Sequence, residues 1–209
     1  MATKKDIRDF DSLIELVEYF DTEAKCEAHF ELLRWNGVPT CPYCESEKVN
    51  TLKGKTKRYK CYGCRKQFGI KVGTIFQDSN ISLKKWFYAI YLVTSGDKKG
   101  SSSYALAKNI KVSQTTAWFI LHRIRESYNV ETPVFTKPVE VDETFIGGAE
   151  INKHANKRTP NNQGRSTKTK AAVIGILERD GKVFATPVVN TKGSTVLPIM
   201  RSKVAAGNT

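Results

Sequence analysis

The sequence predicts an α+β, multidomain chain, and three observations carry that expectation. Apolar residues recur at helical spacing through residues 12–35 and 82–128. Between those stretches lies a cysteine-, glycine- and lysine-rich segment with two C-x-x-C pairs. Beyond Pro138 the periodicity changes to the alternation of strands, interrupted by an Asp-Gly hairpin signal. The regions that follow are 1–38, a helical segment; 39–73, a small stapled module; 74–130, a helical region; and 131–209, a sheet-forming domain.

Taken in order, Leu13, Leu16, Val17 and Phe20, then Ala28, Phe30, Leu32 and Leu33, predict two short helices broken near Asp21 and Thr22 and ended by Asn36 and Gly37. Residues 41–70 read as short strands around a very small core. In SLKKWFYAIYLV, Ser82 stands as an N-cap and Leu83, Trp86, Ile90 and Val93 share a helical stripe. SSSYALAKNI and SQTTAWFILHRIRESY read as two further helices joined by a short turn, capped by Ser103 and Ser113, with helix-turn-helix proportions. Pro133 and Pro138 bracket a linker, since proline lacks an amide hydrogen. VEVDETFI, AAVIGIL and KVFATPVV are then strands, the last two joined through Arg179, Asp180 and Gly181. Residues 152–170 hold Lys153, Lys157, Arg158, Arg165, Lys168 and Lys170 with no acid, which reads as a mobile basic loop. Val196, Leu197, Met200 and Val204 suggest a closing helix.

Charge narrows the partner. The 209 residues carry 34 Lys and Arg against 21 acids, a formal +13, which favours a polyanion, nucleic acid first. The amino terminus, MATKKDIRDFD, has no apolar run behind its lysines, and no stretch approaches the roughly 18 apolar residues of a membrane span. A cytoplasmic location without a membrane partner is therefore expected. Reducing conditions there make the five cysteines thiols or metal ligands rather than disulfides.

CPYC and CYGC, sixteen residues apart, can each form a tight knuckle, so Cys41, Cys44, Cys61 and Cys64 are the candidate ligands of one tetrahedral zinc. Four thiolates leave no open position, so the ion should be structural, contributing up to roughly 10 to 16 kcal/mol of apparent binding energy. Gly63 suits the second turn, whereas Glu45 stands where the first would more comfortably carry glycine. Cys26 lies outside the pattern and is expected to be a buried small residue. Residues 48–71 hold nine Lys or Arg and no acid, interleaved with Tyr59, Tyr62 and Phe68, which favours phosphate contacts by Lys55, Lys57 and Arg58.

On the second helix of the pair, Ala117, Leu121 and Ile124 would face the core, leaving Gln114, Thr115, His122, Arg123 and Arg125 for DNA. An ordinary helical hairpin fits the same pattern. Asp142 interrupts a strand-forming run, where an acid must face water, a partner or a metal. Alternation sets it opposite Val141 and Glu143.

In order, RWNGVPTCPYC, YKCYGCRKQF, VGTIFQDSNISLKKWFYAI and VEVDETFIGG resemble bacterial insertion-sequence transposases with an amino-terminal zinc ribbon and a ribonuclease-H-like, ISXO2-like catalytic domain. The likeness runs from about Phe20 onward. It implies that 39–73 is the ribbon, 74–130 the helix-turn-helix DNA-binding region, and 131–209 the first half of the ribonuclease-H-like α/β domain. It further implies that Asp142 is the first catalytic magnesium ligand, that the partner is double-stranded DNA at terminal repeats, and that the protein acts as a homo-oligomer on DNA near the bacterial nucleoid. Later carboxylate ligands of that family have no counterpart before Thr209, so this chain is expected to be truncated, and to bind DNA without cutting or joining it. Two rival readings are a non-enzymatic DNA-binding regulator and an RNA-binding ribbon that stacks bases on its aromatics.

Overall fold

Ser12 and Thr22 accept the amides of Glu15 and Lys25 and so start the first two helices, α1 (Leu13–Tyr19) and α2 (Glu23–Trp35). Asn36, left-handed at φ 49°, with Gly37 at 96°, ends α2. The coordinates form a computed structural model that describes residues 5–52, 54, 57–95, 100–128, 134–162, 164–179 and 181–205. Lys55, Pro133 and Asp180, named above, lie outside the described residues.

Two compact units divide the chain, Met1–Asn129 and Val130–Thr209. In the first, β1 (Val49–Leu52), β2 (Arg58–Cys61) and β3 (Gln67–Gly69) form an antiparallel sheet in that order. Its apolar face is too small to stand alone, and it joins the helices in one core. Tyr59 and Phe68 stack with centroids 5.5 Å apart, and Trp35 of α2 meets the Tyr59 ring edge-on at 4.9 Å. Arg34 fastens the junction, donating to the carbonyls of Ile70 and Val72.

Helix α3 (Leu83–Thr94) runs through the centre of this core, with Leu83, Trp86, Phe87, Ala89 and Tyr91 buried. Its amino terminus is held twice. Ser82 caps Lys85, and the Glu23 carboxylate, brought from α2, takes the amides of Leu83 at 2.6 Å and Lys84 at 3.1 Å. Helices α4 (Ser103–Ile110) and α5 (Gln114–Ser127) follow, joined through Lys111, left-handed at φ 51°. Ser102, not Ser103, caps α4, taking the Ala105 amide, while Ser113 caps α5 as the sequence suggests.

The second unit is a meander, β4 (Val139–Ile146), β5 (Ala171–Glu178) and β6 (Val183–Val188), antiparallel throughout. One face is covered by α6 (Gly193–Lys203), whose Val196, Ile199 and Met200 pack over Ile174 and Ile176. The sequence stripe errs at one position, because Leu197 is half exposed and Ile199 takes the inward place. After α6, Val204 makes an isolated parallel bridge to Phe135, with Phe135 N donating to Lys203 O at 2.7 Å and Ala205 N to Phe135 O at 3.0 Å. Among the described residues no helix is long and apolar enough to cross a membrane.

Candidate metal centre and nucleic-acid interface

The four cysteines converge. Their sulfurs lie within 4.8 Å of one another, and the Cys41–Cys64 and Cys44–Cys61 pairs are each 3.6 Å apart. The edge of a tetrahedron built from zinc–sulfur bonds of about 2.3 Å is about 3.8 Å, so the arrangement fits zinc. The two knuckles are alike: Cys41 N donates to Ser46 O and Cys61 N to Lys66 O, both at 3.0 Å. The positive-φ residue of each follows its second cysteine, Glu45 at 58° and Arg65 at 60°. Gly63 therefore matters for space rather than for backbone freedom, because a Cβ there would meet Ser46 Oγ at 3.2 Å and Cys61 Sγ at 3.5 Å. The Cys64 amide, ahead of the neighbouring thiol of Cys44 and the Gly63 amide, draws the Cys61 thiol down to about 6. Cys26 is fully buried on α2, its thiol pushed up to about 12 by that burial, and it stays apart from the cluster.

Around the cluster, Arg58 is exposed, while Lys57 pairs with Glu31, which also accepts from the Tyr59 hydroxyl. Tyr59 and Phe68 are core residues, 1% and 3% exposed, so neither is open to stack on a base; Tyr62 is exposed.

On α5, Ala117, Ile120, Leu121 and Ile124 are buried, and Thr115, Trp118, His122 and Arg125 are exposed. Two of the residues expected to stay available have partners inside the protein. Gln114 donates to Ser103 Oγ at 2.9 Å, and Arg123 lies along Phe119 and donates to the carbonyls of Ile75, at 2.8 Å, and Gln77. Trp118, packed on the His122 ring with centroids 4.1 Å apart, is an exposed aromatic that helical periodicity alone does not flag.

In the second unit Asp142 is exposed in mid-strand, opposite the face where Val141 meets Ile176. Gly175 and Ala185 are its successive cross-strand neighbours, so no bulky side chain flanks it across the sheet. Asp142 Oδ1 accepts the Glu143 amide at 2.8 Å. Glu140, two residues away on the same face, is paired with Arg179 at 2.9 Å. Among the described residues the cysteine cluster is the one group of three or more His, Cys, Asp or Glu ligand atoms drawn together, so Asp142 has no assembled carboxylate partners there. A single carboxylate does not by itself make a magnesium site.

The segment after β4 differs from the mobile loop its composition suggests. It forms two short 3₁₀ turns, Glu150–Asn152 and Ala155–Lys157, tied to the carboxylate of Glu150. The available signal is that Glu150 is the sole acid in residues 147–170, among six bases.

A ribbon with a saturated cysteine site, a basic surface and a strand-borne aspartate define a class, and comparison with known proteins agrees with it. A family model for the transposase zinc-ribbon domain matches residues 21–67, and one for the ISXO2-like transposase domain matches residues 135–209. The chain thus carries a match to a transposase zinc ribbon followed by a match to an ISXO2-like transposase domain. More particularly, it is similar to an uncharacterized protein in transposable element ISH50 of Halobacterium salinarum, 27% identical over 157 residues. That alignment covers 72% of this chain and 52% of the relative, so the chain spans about half the length of the curated relative it matches. No solved structure matches.

Proposed function

We propose that this chain binds the ends of an insertion sequence as duplex DNA, through its zinc ribbon and through α4 and α5 acting as a helix-turn-helix, and carries in Asp142 the first catalytic carboxylate of a transposase. The observation that carries the reading is the pair of transposase domain matches in order on a chain of net charge +13, with the cysteine geometry of the first intact. Zinc, held by Cys41, Cys44, Cys61 and Cys64, would fold the ribbon and supply no chemistry. Exposed Arg58, Thr115 and Arg125 suit phosphate and base-edge contacts, whereas Gln114 and Arg123 would hold the helix in its place.

A ribonuclease-H-like topology for the second unit is supported by the meander β4–β5–β6, the helix α6, and the parallel bridge that directs the chain after α6 along the β4 edge. Because Asp142 lacks assembled carboxylate partners among the described residues, the 209-residue chain is proposed to bind without cutting. The same lone carboxylate favours a second reading, a DNA-binding regulator.

Titration of the whole chain against a duplex carrying the element's terminal repeat tests the first statement. The expected result is tight binding whose log Kd rises with log salt at about 0.9 per phosphate neutralised, stronger than for a scrambled duplex. A flat salt response sinks it. Strand-transfer assay with magnesium tests the second: any cleavage or joining that Asp142→Ala abolishes would overturn the inactivity of this chain.

A further inference from the structure

Residues 147–170 hold Glu150 as their sole acid and six bases, yet the described ones are folded around that acid. The Glu150 carboxylate accepts Lys153 Nζ at 2.6 Å, the Thr159 amide at 3.0 Å and Asn162 Nδ2 at 3.0 Å. Asn162 Nδ2 also reaches Thr169 Oγ1 at 2.7 Å, tying the two ends of the segment together. Arg158 donates to the carbonyls of Lys153 and Ile151 at 3.1 and 2.9 Å, and Lys170 Nζ to Gly164 O at 2.7 Å. The neck is closed by the Ile146–Ala171 pair and by Gly147, where a Cβ would strike Lys170 Cγ at 2.9 Å and Thr169 O at 3.2 Å.

The charges are thereby sorted. The Glu150 side chain is 17% exposed and its oxygens face inward donors, which also hold its carboxyl down at about 2. Lys157, Arg165 and Lys168 are exposed, and among the described residues none has an acidic partner. A solvated charge run needs no such scaffold. A surface that meets a polyanion gains from one, because fixed cations lose less conformational freedom on binding than a flexible tail does. The segment leaves the end of β4 four residues beyond Asp142, a distance along the strand of roughly 13 Å, so it is carried by the same strand as Asp142.

We propose that this segment is a preformed phosphate clamp for duplex DNA, with Glu150 as its positioning residue and Lys157, Arg165 and Lys168 as the contacting cations. The inference rests on the DNA-binding reading above and adds a site that its ribbon and helix pair do not contain.

Glu150→Gln in the full chain separates a clamp from a diffuse positive cloud, because the two give opposite signs. Removing a negative charge tightens DNA binding if only net charge matters. Here it should weaken duplex binding about three- to tenfold and speed proteolysis within the segment, with zinc content unchanged. The triple variant Lys157→Gln, Arg165→Gln, Lys168→Gln keeps the scaffold and should lower the salt slope by roughly 2 to 3. If the unmodified chain shows no salt-dependent duplex binding, the DNA reading and the clamp fall together. If it binds, but Glu150→Gln binds equally or more tightly, or the triple variant keeps the full slope, the clamp alone is overturned.

Discussion

His29 occupies the core of the first unit at 4% exposure, edge-on to Phe20 at 4.9 Å and near Tyr19 and Phe87, with neither ring nitrogen hydrogen-bonded among the described residues. Burial, outweighing the Lys5 backbone and the Asp6 carboxylate that act the other way, lowers its pKa below the ordinary imidazole value, which favours the neutral ring in the folded state near pH 7. The unfolded chain takes up a proton near pH 6.5 that the folded chain resists. Its contribution is therefore fully present above that pH and is lost as pH falls from there toward the folded pKa. Thermal melts at about pH 7.5 and about pH 5.5 should show a smaller loss of stability for His29→Phe than for the natural chain. Equal losses would mean the ring is protonated or solvated in place. Nothing in the helical spacing marks His29 as interior, because its burial depends on aromatic partners from α1 and α3. The four cysteines are the opposite case, since their geometry follows from local turns that the C-x-x-C spacing already encodes. Asp142 lies between these cases: alternation gives its face, but the absence of bulky neighbours at Gly175 and Ala185 depends on strand register.

At the level of elements, helix starts follow closely from local chemistry, as Ser12, Thr22, Ser82 and Ser113 each cap the helix they precede. The displaced cap at Ser102 reflects three consecutive serines that local pattern cannot rank. What local pattern cannot supply is a cap brought from another helix. Glu23 does this for α3 from sixty residues away. Glu23→Gln keeps one acceptor oxygen and loses the charge that favours a helix amino terminus, so it should cost about 1 kcal/mol in urea unfolding of the first unit. No measurable change would show the Ser82 cap to be sufficient. The basic segment after β4 illustrates the same limit: its composition resembles disorder, and its order comes from Glu150 meeting donors up to twelve residues distant.

For the whole molecule, the two units have separate cores, one gathered around α3 and the ribbon aromatics, the other between the second sheet and α6. The ribbon strands share the first core, so its metal stabilises helices as well as knuckles. A strong chelator should therefore lower the melting transition of the first unit and leave that of the second unchanged. Calorimetry in which both transitions move together would contradict this separation. Division into helical, cysteine-stapled and sheet-forming stretches is legible from periodicity and cysteine spacing. That the first two merge into one core is not, because it depends on Trp35, Arg34 and Tyr59 meeting across elements.

The bridge between Phe135 and Val204 also bears on the order in which the second unit assembles. The β5–β6 hairpin closes over a short separation, but this bridge joins positions about 70 residues apart, a closure that costs roughly 4 kcal/mol of chain entropy. It should therefore form last and open first. In hydrogen exchange, the Phe135 and Ala205 amides should lose protection well before that of Ile176 at the centre of the sheet, leaving the β4 edge transiently open while the meander stays folded.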